Sequence, residues 1–316
     1  MGRAKRTRIT DAVEMYSKSL EYRSLSPQAQ KDYRYCLNAF LQTPVRSAFS
    51  QTHVGSDMKI ENYSLQTISV PIAQRAYNTW AERGVPFANH TMSAASVVFN
   101  LAIRLGYCEI NPFSKVLRRP HKPRKVVWTR EDITCFLNVA YSSFNTRSVG
   151  LIVQMAYEWC QRLGDMSNLK WTNYNFDTKV LSLEQSKRRA RVELPTTEEL
   201  HEMLVQQKQE VGTDYIAPQC HRDKIHNKPY DKFQLALAAR RVIRKAGLPE
   251  ELQIMDMRRT GTMEMVDAGV PLPQIMSVTG HVSPGSVTPY MKNTLTSAKN
   301  AAKLRFTNTD SVHLSD

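Results

Sequence analysis

The side chains in this sequence that could do chemistry are scattered along its second half. They are Arg162, Lys187, Arg258, His281 and Tyr290. An arginine binds the oxygens of an anion with fork-shaped donors. A histidine or a lysine can transfer a proton, and a tyrosine can act as a nucleophile. These residue types therefore offer anion binding, proton transfer and covalent attack.

Each of these residues also has an ordinary structural interpretation when it is taken alone. Arg162 ends a predicted buried helix, which aims its guanidinium toward a cleft, but it could equally form a weak surface ion pair with Asp165. Lys187 stands beside two arginines at the tip of a predicted strand pair, where a solvated charged turn is the simpler interpretation. His281 and Tyr290, taken singly, are typical of a structural histidine at a helix end and a half-buried tyrosine.

The charge of the chain indicates a polyanionic partner. Its 316 residues include 43 Lys and Arg against 29 Asp and Glu, a net charge of +14. Such an excess favours nucleic acid first and an anionic membrane surface second. The longest apolar stretch, 149–160, is broken by Gln154 and Glu158, so no membrane span is expected. The basic N-terminus lacks an apolar segment, so no secretory signal is expected, and we predict a cytoplasmic, nucleoid-associated protein.

Several common chemistries have no motif in this sequence. It contains no GxxxxGK[ST] loop, no GxGxxG and no HExxH. The five cysteines are scattered and form no CxxC pair, which argues against a disulfide framework or a zinc ribbon. Cys220 and His221 with His226 lack a second ligand pair and are interpreted as part of a polar loop. We therefore expect no metal and no cofactor.

Helical periodicity dominates the first third of the chain. Apolar stripes predict helices that include roughly 69–83 and 90–105, each followed by a glycine where helices commonly end. The pattern predicts a small all-α domain over 11–117, preceded by a basic tail at 1–10.

A basic segment at 118–128 is interpreted as an interdomain linker. Pro120 and Pro123 forbid a continuous helix there. The segment is either a solvated loop or a strap that lies on phosphates, and the charge of the whole chain favours the strap. Its candidate DNA-binding residues are Arg118, Arg119, Lys122, Arg124 and Lys125.

The pattern changes in the region from 129 to 316. A buried helix is predicted at about 148–160, then two short strands near 180–183 and 192–194, and then helices to the end. The predicted fold class is therefore mainly α with a small β-sheet: an N-terminal helical domain and a C-terminal α+β domain.

The order of the candidate residues resembles the tyrosine site-specific recombinases, the phage integrase family. The motifs that carry this resemblance are QRLGD at 161–165, EQSK at 184–187 with VELP at 192–195, DMRRT at 256–260, and GH at 280–281 followed nine residues later by Tyr290. LGY at 105–107 with NP at 111–112 is similar to the end of the family's helical DNA-binding domain. The resemblance covers roughly residues 10–295. It implies a core-DNA-binding domain followed by a catalytic domain, the two closing around duplex DNA.

The resemblance implies a reaction and a role for each residue. Tyr290 would attack phosphorus and hold the 3′-phosphate, so that the bond energy is kept without ATP. Arg162 and Arg258 would bind the charge of the transition state. His281 would contact a non-bridging oxygen and assist proton movement, and Lys187 would protonate the leaving 5′-oxygen. These cationic groups would make a metal unnecessary.

Two further positions qualify this assignment. Asp165 would orient Arg162 rather than act on the substrate. The family usually has a histidine three residues before its second arginine, where this chain has Met255, which neither binds a phosphate oxygen usefully nor transfers a proton. We expect methionine at this position to affect the rate of the reaction more than its type. A one-residue shift of the turn would present Arg188 in place of Lys187.

The resulting prediction is an integrase of a phage or mobile element. Its partners would be double-stranded DNA, other copies of itself in a tetramer on synapsed DNA, and accessory DNA-bending or directionality proteins, with no membrane. The alternatives are a type IB topoisomerase-like or hairpin-forming relative, a non-catalytic DNA-binding regulator, and more distantly an RNA-binding protein. The C-terminal segment 295–306 is expected to form a helix that packs on its own domain or docks onto a neighbouring protomer.

Overall fold

The computed structural model describes residues 7–45, 58–121, 124–290 and 295–310. Lys122 and most of the predicted basic tail lie outside these residues. The chain divides into two compact units, Met1–Arg124 and Lys125–Asp316, and each unit has its own hydrophobic core. The division falls inside the segment that the sequence predicts as a linker. The described part of this segment contains no helix or strand up to Trp128, which agrees with its prolines.

The first unit is built almost entirely from helices. These are α1 (Ile9–Lys18), α2 (Leu20–Arg23), α3 (Pro27–Leu41), α4 (Val70–Arg83) and α5 (Val85–Arg104), with a short antiparallel pair of β1 (Pro44–Val45) and β2 (Met58–Lys59). The helix predicted at 90–105 begins earlier, at Val85, because Gly84 alone separates α4 from α5. Its φ of 140° is a conformation that suits glycine, and Pro86 stands in the first turn of α5.

Aromatic packing forms the centre of this first core. The ring of Phe113 lies 5.7 Å from Phe40, 6.1 Å from Trp80 and 5.5 Å from Phe99, measured between centroids. Phe113 comes from the short helical turn Pro112–Lys115 that follows α5. The end of the unit is therefore tied into its own core by one large side chain.

The second unit surrounds a buried helix. Its elements are α6 (Arg130–Tyr141), α7 (Phe144–Glu158), α8 (Leu163–Ser167), β3 (Tyr174–Asn175), β4 (Val180–Glu184), β5 (Arg191–Pro195), α9 (Glu198–Glu210), β6 (Gln219–His221), β7 (Lys224–His226), α10 (Lys232–Lys245), α11 (Met257–Asp267), α12 (Leu272–Thr279) and α13 (Leu295–Asp310). The strands β3, β4 and β5 form one antiparallel sheet, and β6 and β7 form a separate hairpin. Mostly helical structure with small sheets confirms the predicted fold class.

The helix α7 is the element that the rest of this unit packs around. Nine consecutive residues, 148–156, are buried, so α7 is covered on all sides. Such a helix lacks a polar face and is held by tertiary packing. Because it is held rigidly, its C-terminal end is a fixed point from which the following residues are positioned. No described helix is both long and apolar enough to cross a membrane.

Candidate active site

The first candidate arginine follows directly from the end of α7. Cys160 adopts a left-handed backbone conformation, φ 51°, and Arg162 is the N-cap residue that directly precedes α8. The Nη1 of Arg162 donates a hydrogen bond of 2.9 Å to the Oε1 of Gln185. Its side chain is about one quarter exposed (27%), so the guanidinium can still meet a ligand.

Asp165 joins Arg162 to the hairpin that carries Lys187. Its side chain is buried, with Oδ2 3.9 Å from Nη1 of Arg162. Its Oδ1 accepts a hydrogen bond of 3.1 Å from the backbone N–H of Ser186. Arg162 and Asp165 therefore do lie within ion-pair distance, but the carboxylate is buried rather than at the surface.

The second candidate arginine is deeply placed and only partly satisfied. Arg258 lies in the first turn of α11 and is 9% exposed. Its Nη2 is 3.2 Å from the Nε2 of His281, whereas its buried Nη1 has no hydrogen-bond partner among the described residues. Burial, together with the nearby positive charge of Arg162, lowers the pKa of Arg258 to about 10. A buried guanidinium with an unused donor is an arrangement that suits an anion.

His281 is held at the end of α12 by a neighbouring hydroxyl. Its Nδ1 lies 2.7 Å from the Oγ1 of Thr279, and that hydroxyl donates its own hydrogen to the carbonyl of Ile275. Thr279 must therefore accept from Nδ1–H. Since a guanidinium has no acceptor, the Nε2 of His281 must in turn accept from Arg258. Both contacts assign the neutral tautomer with hydrogen on Nδ1.

The surroundings of His281 also disfavour its cationic form. Burial lowers its pKa from 6.5 to about 4, with further lowering by the charges of Arg258, Arg162 and Arg188. In the DNA-free protein the imidazole is therefore uncharged at neutral pH.

Tyr290 lies beside this histidine in the short helical turn Thr288–Tyr290. The centroids of the two rings are 6.0 Å apart. The guanidinium carbon of Arg259 lies 5.4 Å from the centre of the Tyr290 ring. The structure therefore brings Arg258, His281 and Tyr290 together, and Arg162 contributes charge to the same place.

Lys187 lies at the surface of the β4–β5 hairpin. It is exposed on the turn between β4 and β5, and it makes no hydrogen bond or ion pair with any residue that the structure describes. Arg189, in the same turn, has φ 55° and pairs with Glu184 at 3.3 Å. Lys187 and Arg188 are both at the tip, so the turn presents two neighbouring cations.

Met255 faces solvent near the two arginines. It is 62% exposed, in the helical turn Ile254–Asp256 that precedes α11. It borders a cavity of about 880 Å³ whose lining also includes Arg162 and Arg258. A thioether thus stands at the edge of the site, where it adds no hydrogen-bond donor.

The cationic side chains that the structure describes in the basic segment are mostly exposed. Arg118, Arg119 and Lys125 are exposed and Arg124 is half-buried. The backbone N–H of Arg119 donates a hydrogen bond of 2.8 Å to the hydroxyl of Tyr77. The DNA-binding role of these residues stays a prediction.

Several residues that shape the site were not singled out by their sequence context. Gln185 contacts Arg162, Thr279 contacts His281, and Arg259 packs on Tyr290. Gln161 and Gln185 both stand inside the family-like motifs, as polar residues next to apolar ones, which is the signal that could have identified them. No three His, Cys, Asp or Glu side chains in the described ranges come together as they would around a metal ion.

Comparisons with known proteins identify the family and the fold of this chain. The model of the phage integrase family matches residues 128–296. A lambda integrase dimer bound to a COC′ core site has a TM-score of 0.73 at 18% identity, over 91% of this chain and 78% of that chain. A lambda integrase tetramer bound to a Holliday junction has a TM-score of 0.74 at 17% identity, over 92% and 78%.

A third similar structure is the Tn1549 transposon integrase in complex with a circular intermediate DNA. It has a TM-score of 0.69 at 15% identity, over 92% of this chain and 98% of that chain. At these identities the structures show the shared fold. The sequence matches no curated protein. Because the family model covers more than half of its length, the chain belongs to the phage integrase family.

Proposed function

We propose that this protein is a site-specific DNA recombinase that cleaves and rejoins double-stranded DNA through a 3′-phosphotyrosyl intermediate on Tyr290. The observation that carries this proposal is the buried, unpartnered Nη1 of Arg258, next to His281 and Tyr290. A phosphodiester placed there would give the unused donor an anionic acceptor. It would also bring phosphorus within reach of a phenol.

The cleavage step balances with the side chains of this site. The Oη of Tyr290 attacks phosphorus, so the Oη–P bond forms and the P–O5′ bond breaks. The phenol proton passes to the Nε2 of His281, and Lys187 gives a proton to the departing O5′. The products are a 3′-phosphotyrosine and a free 5′-hydroxyl. Attack by an incoming 5′-hydroxyl reverses each transfer and rejoins DNA without ATP.

The arginines would act on the charge that develops in this step. The pentacoordinate phosphorus gathers negative charge on its non-bridging oxygens, where guanidinium donors bind most strongly. As the phosphate takes the donors of Arg258, the Nε2 of His281 is released to accept the proton. The anion also offsets the positive charges that lower the pKa of His281, so DNA binding makes this histidine a better base.

The structural relatives of this chain also suggest how it would assemble on DNA. One similar structure is a lambda integrase dimer bound to a core site, and another is a lambda integrase tetramer bound to a Holliday junction. By analogy, this chain would bind duplex DNA and form a tetramer on synapsed sites. Integration or excision of a phage or mobile element, with accessory DNA-bending proteins, is the biological role that we propose.

Trapping the covalent intermediate tests this function. Duplexes selected by the protein from a randomised pool would be nicked near the cleavage position, so that the released fragment diffuses away. In excess EDTA, the wild-type protein should give an adduct on a denaturing gel, and Tyr290→Phe should give none. Tyr215→Phe, a partly buried tyrosine of the same unit, is the matched control and should react like wild type. An adduct with Tyr290→Phe would assign the nucleophile to another residue.

A further inference from the structure

We propose that Gln185 is a positioning residue for the cleavage step: its side chain holds the guanidinium of Arg162 in the orientation that binds the scissile phosphate. This inference rests on the proposed function and deepens it. Gln185 is the residue after β4, two positions before Lys187.

The side-chain amide of Gln185 is fully buried and uses three hydrogen bonds. Its Oε1 accepts from the Nη1 of Arg162 at 2.9 Å. Its Nε2 donates to the Oε1 of Gln161 at 2.7 Å and to the carbonyl of Thr279 at 2.8 Å. The amide therefore links the start of α8 to the end of α12.

The direction of this amide is determined by its neighbours. The Nε2 of Gln161 donates to the carbonyls of Trp159 and Val278, so the Oε1 of Gln161 is left as an acceptor. The nitrogen of the Gln185 amide must point toward that acceptor and toward the carbonyl of Thr279. Its oxygen must then point toward Arg162, because a flipped amide would set donor against donor.

The main chain of Gln185 closes the turn that carries Lys187. Its N–H donates to the carbonyl of Ala190 at 2.8 Å, and its carbonyl accepts from the N–H of Arg189 at 2.9 Å. A Cβ at Gly280 would lie 2.4 Å from the Nε2 of Gln185, so the chain just before His281 packs directly on this amide. One residue thus touches the segments that carry Arg162, Lys187 and His281.

A neutral acceptor is chemically suited to this position. The carboxylate oxygen Oδ2 of Asp165 lies 3.9 Å from Nη1 of Arg162, beyond hydrogen-bond length. An amide oxygen at 2.9 Å orients the guanidinium without cancelling its charge. The remaining donors of the guanidinium stay available for a phosphate.

The test replaces the amide with an apolar side chain of similar length and compares it with a matched site. Gln185→Met removes the acceptor for Arg162. Gln207→Met is the control: Gln207, on α9, is also buried, and its Nε2 donates to the carbonyl of Ile216.

Single-turnover cleavage of the nicked duplex would be measured at saturating protein, with DNA affinity and thermal unfolding measured in parallel. We expect Gln185→Met to slow cleavage about 10- to 100-fold, the effect of misplacing one group, with DNA affinity within about threefold. Gln207→Met should cleave within about threefold of wild type.

A double-mutant cycle asks whether the effect passes through Arg162. In an Arg162→Lys background the lysine lacks the fork that Gln185 orients, so Gln185→Met should slow cleavage by less than about threefold further. A general loss of stability would instead give independent, multiplying effects. The cycle compares variants whose folding is verified by thermal unfolding, so it remains informative if Gln185→Met lowers stability.

The outcomes separate the two proposals. Suppose that wild type forms the Tyr290 adduct. If Gln185→Met then cleaves as fast as wild type, or if the effects of Gln185→Met and Arg162→Lys on the cleavage rate multiply, Gln185 has no positioning role. The proposed function stands in either case. If wild type forms no adduct, or Tyr290→Phe still forms one, the proposed function fails, and the inference about Gln185 is overturned with it.

Discussion

Arg258 combines burial with an unused donor, and this combination opposes stability. Leaving a buried polar group without a partner costs about 1–3 kcal/mol, and more when the group is charged. Its Nη1 has no partner among the described residues. A residue placed in this way is expected where binding of an anion, rather than stability, has determined the side chain.

Replacement of Arg258 by methionine should separate these two effects. Arg258→Met removes the buried charge while roughly keeping the volume, so the free energy of unfolding should stay the same or rise. Cleavage should fall about 10²- to 10³-fold, because a donor to the transition-state charge is lost. Thermal unfolding and single-turnover cleavage measure the two quantities. Arg147→Ala, at a half-buried arginine paired with Glu210, should leave cleavage unchanged. A variant that loses stability and cleavage together would indicate a structural role.

The depressed pKa of His281 predicts a pH dependence of stability in the absence of DNA. The folded protein holds this pKa at about 4, below the ordinary value of 6.5. Between these values the unfolded chain binds more protons than the folded one, so the contribution to stability is present above about 6.5 and is lost as the pH falls toward 4. In His281→Asn this contribution is absent. As the pH falls from 6.5 to about 4, the melting temperature of wild type should therefore fall further than that of His281→Asn. Parallel curves would contradict the assignment.

At the scale of elements, the last residue of α12 determines how His281 is held. Thr279 is fully buried, accepts from the imidazole Nδ1 and donates to its own helix. Thr279→Val keeps the shape but leaves Nδ1–H without an acceptor. Cleavage should fall about tenfold, which corresponds to the roughly 1.4 kcal/mol expected for one such loss. Thr279→Ser restores the hydroxyl and should cleave nearly as fast as wild type. Equal loss in both variants would show that packing, rather than the hydroxyl, matters.

The turn between β4 and β5 carries the group assigned to the leaving oxygen. An alkoxide needs a proton to depart, whereas a thiolate, with a thiol pKa of about 8.5, does not. Lys187→Ala should therefore slow cleavage of normal DNA about 10²-fold or more. It should cleave within about threefold of wild type when the scissile O5′ is replaced by sulfur. Arg188→Ala is the matched control; if sulfur rescues it and does not rescue Lys187→Ala, the proton donor is Arg188 instead.

At the scale of the whole molecule, the net charge of +14 predicts binding dominated by phosphates. Each neutralised phosphate contributes about −0.9 to the slope of log K against log salt for duplex DNA. With about 6–10 such contacts, affinity should fall about 10³- to 10⁵-fold between roughly 50 and 200 mM salt. Binding titrations at several salt concentrations measure this slope.

The same titrations test the basic segment between the units. Arg118→Gln and Arg119→Gln should each reduce the slope by about one. Arg104→Gln is the control, because that guanidinium is already paired with Glu21 at 2.6 Å. Unchanged slopes for the first two variants would make the segment a solvated loop, the simpler of the interpretations that its composition allows.

Local patterns predicted much of the fold because helices depend on spacing that is visible in the chain. The buried stretch 148–156 and the breaks at Gly84 and the linker prolines all have short-range causes. The start of α5 at Val85 was missed, since a single glycine suffices to separate two helices. The order of the motifs likewise led to the family, which the comparison over 128–296 establishes.

The sequence by itself therefore determined the residue types available for the reaction, their order, and the helical character of both units. Only the tertiary structure decided that Arg162 meets the amide of Gln185, that Arg258 keeps a buried donor unused, and that Thr279 selects the tautomer of His281. The physical reason is that these contacts join segments far apart in the chain. Their hydrogen bonds depend on how α7, α11, α12 and the β4–β5 turn pack, which no local preference encodes.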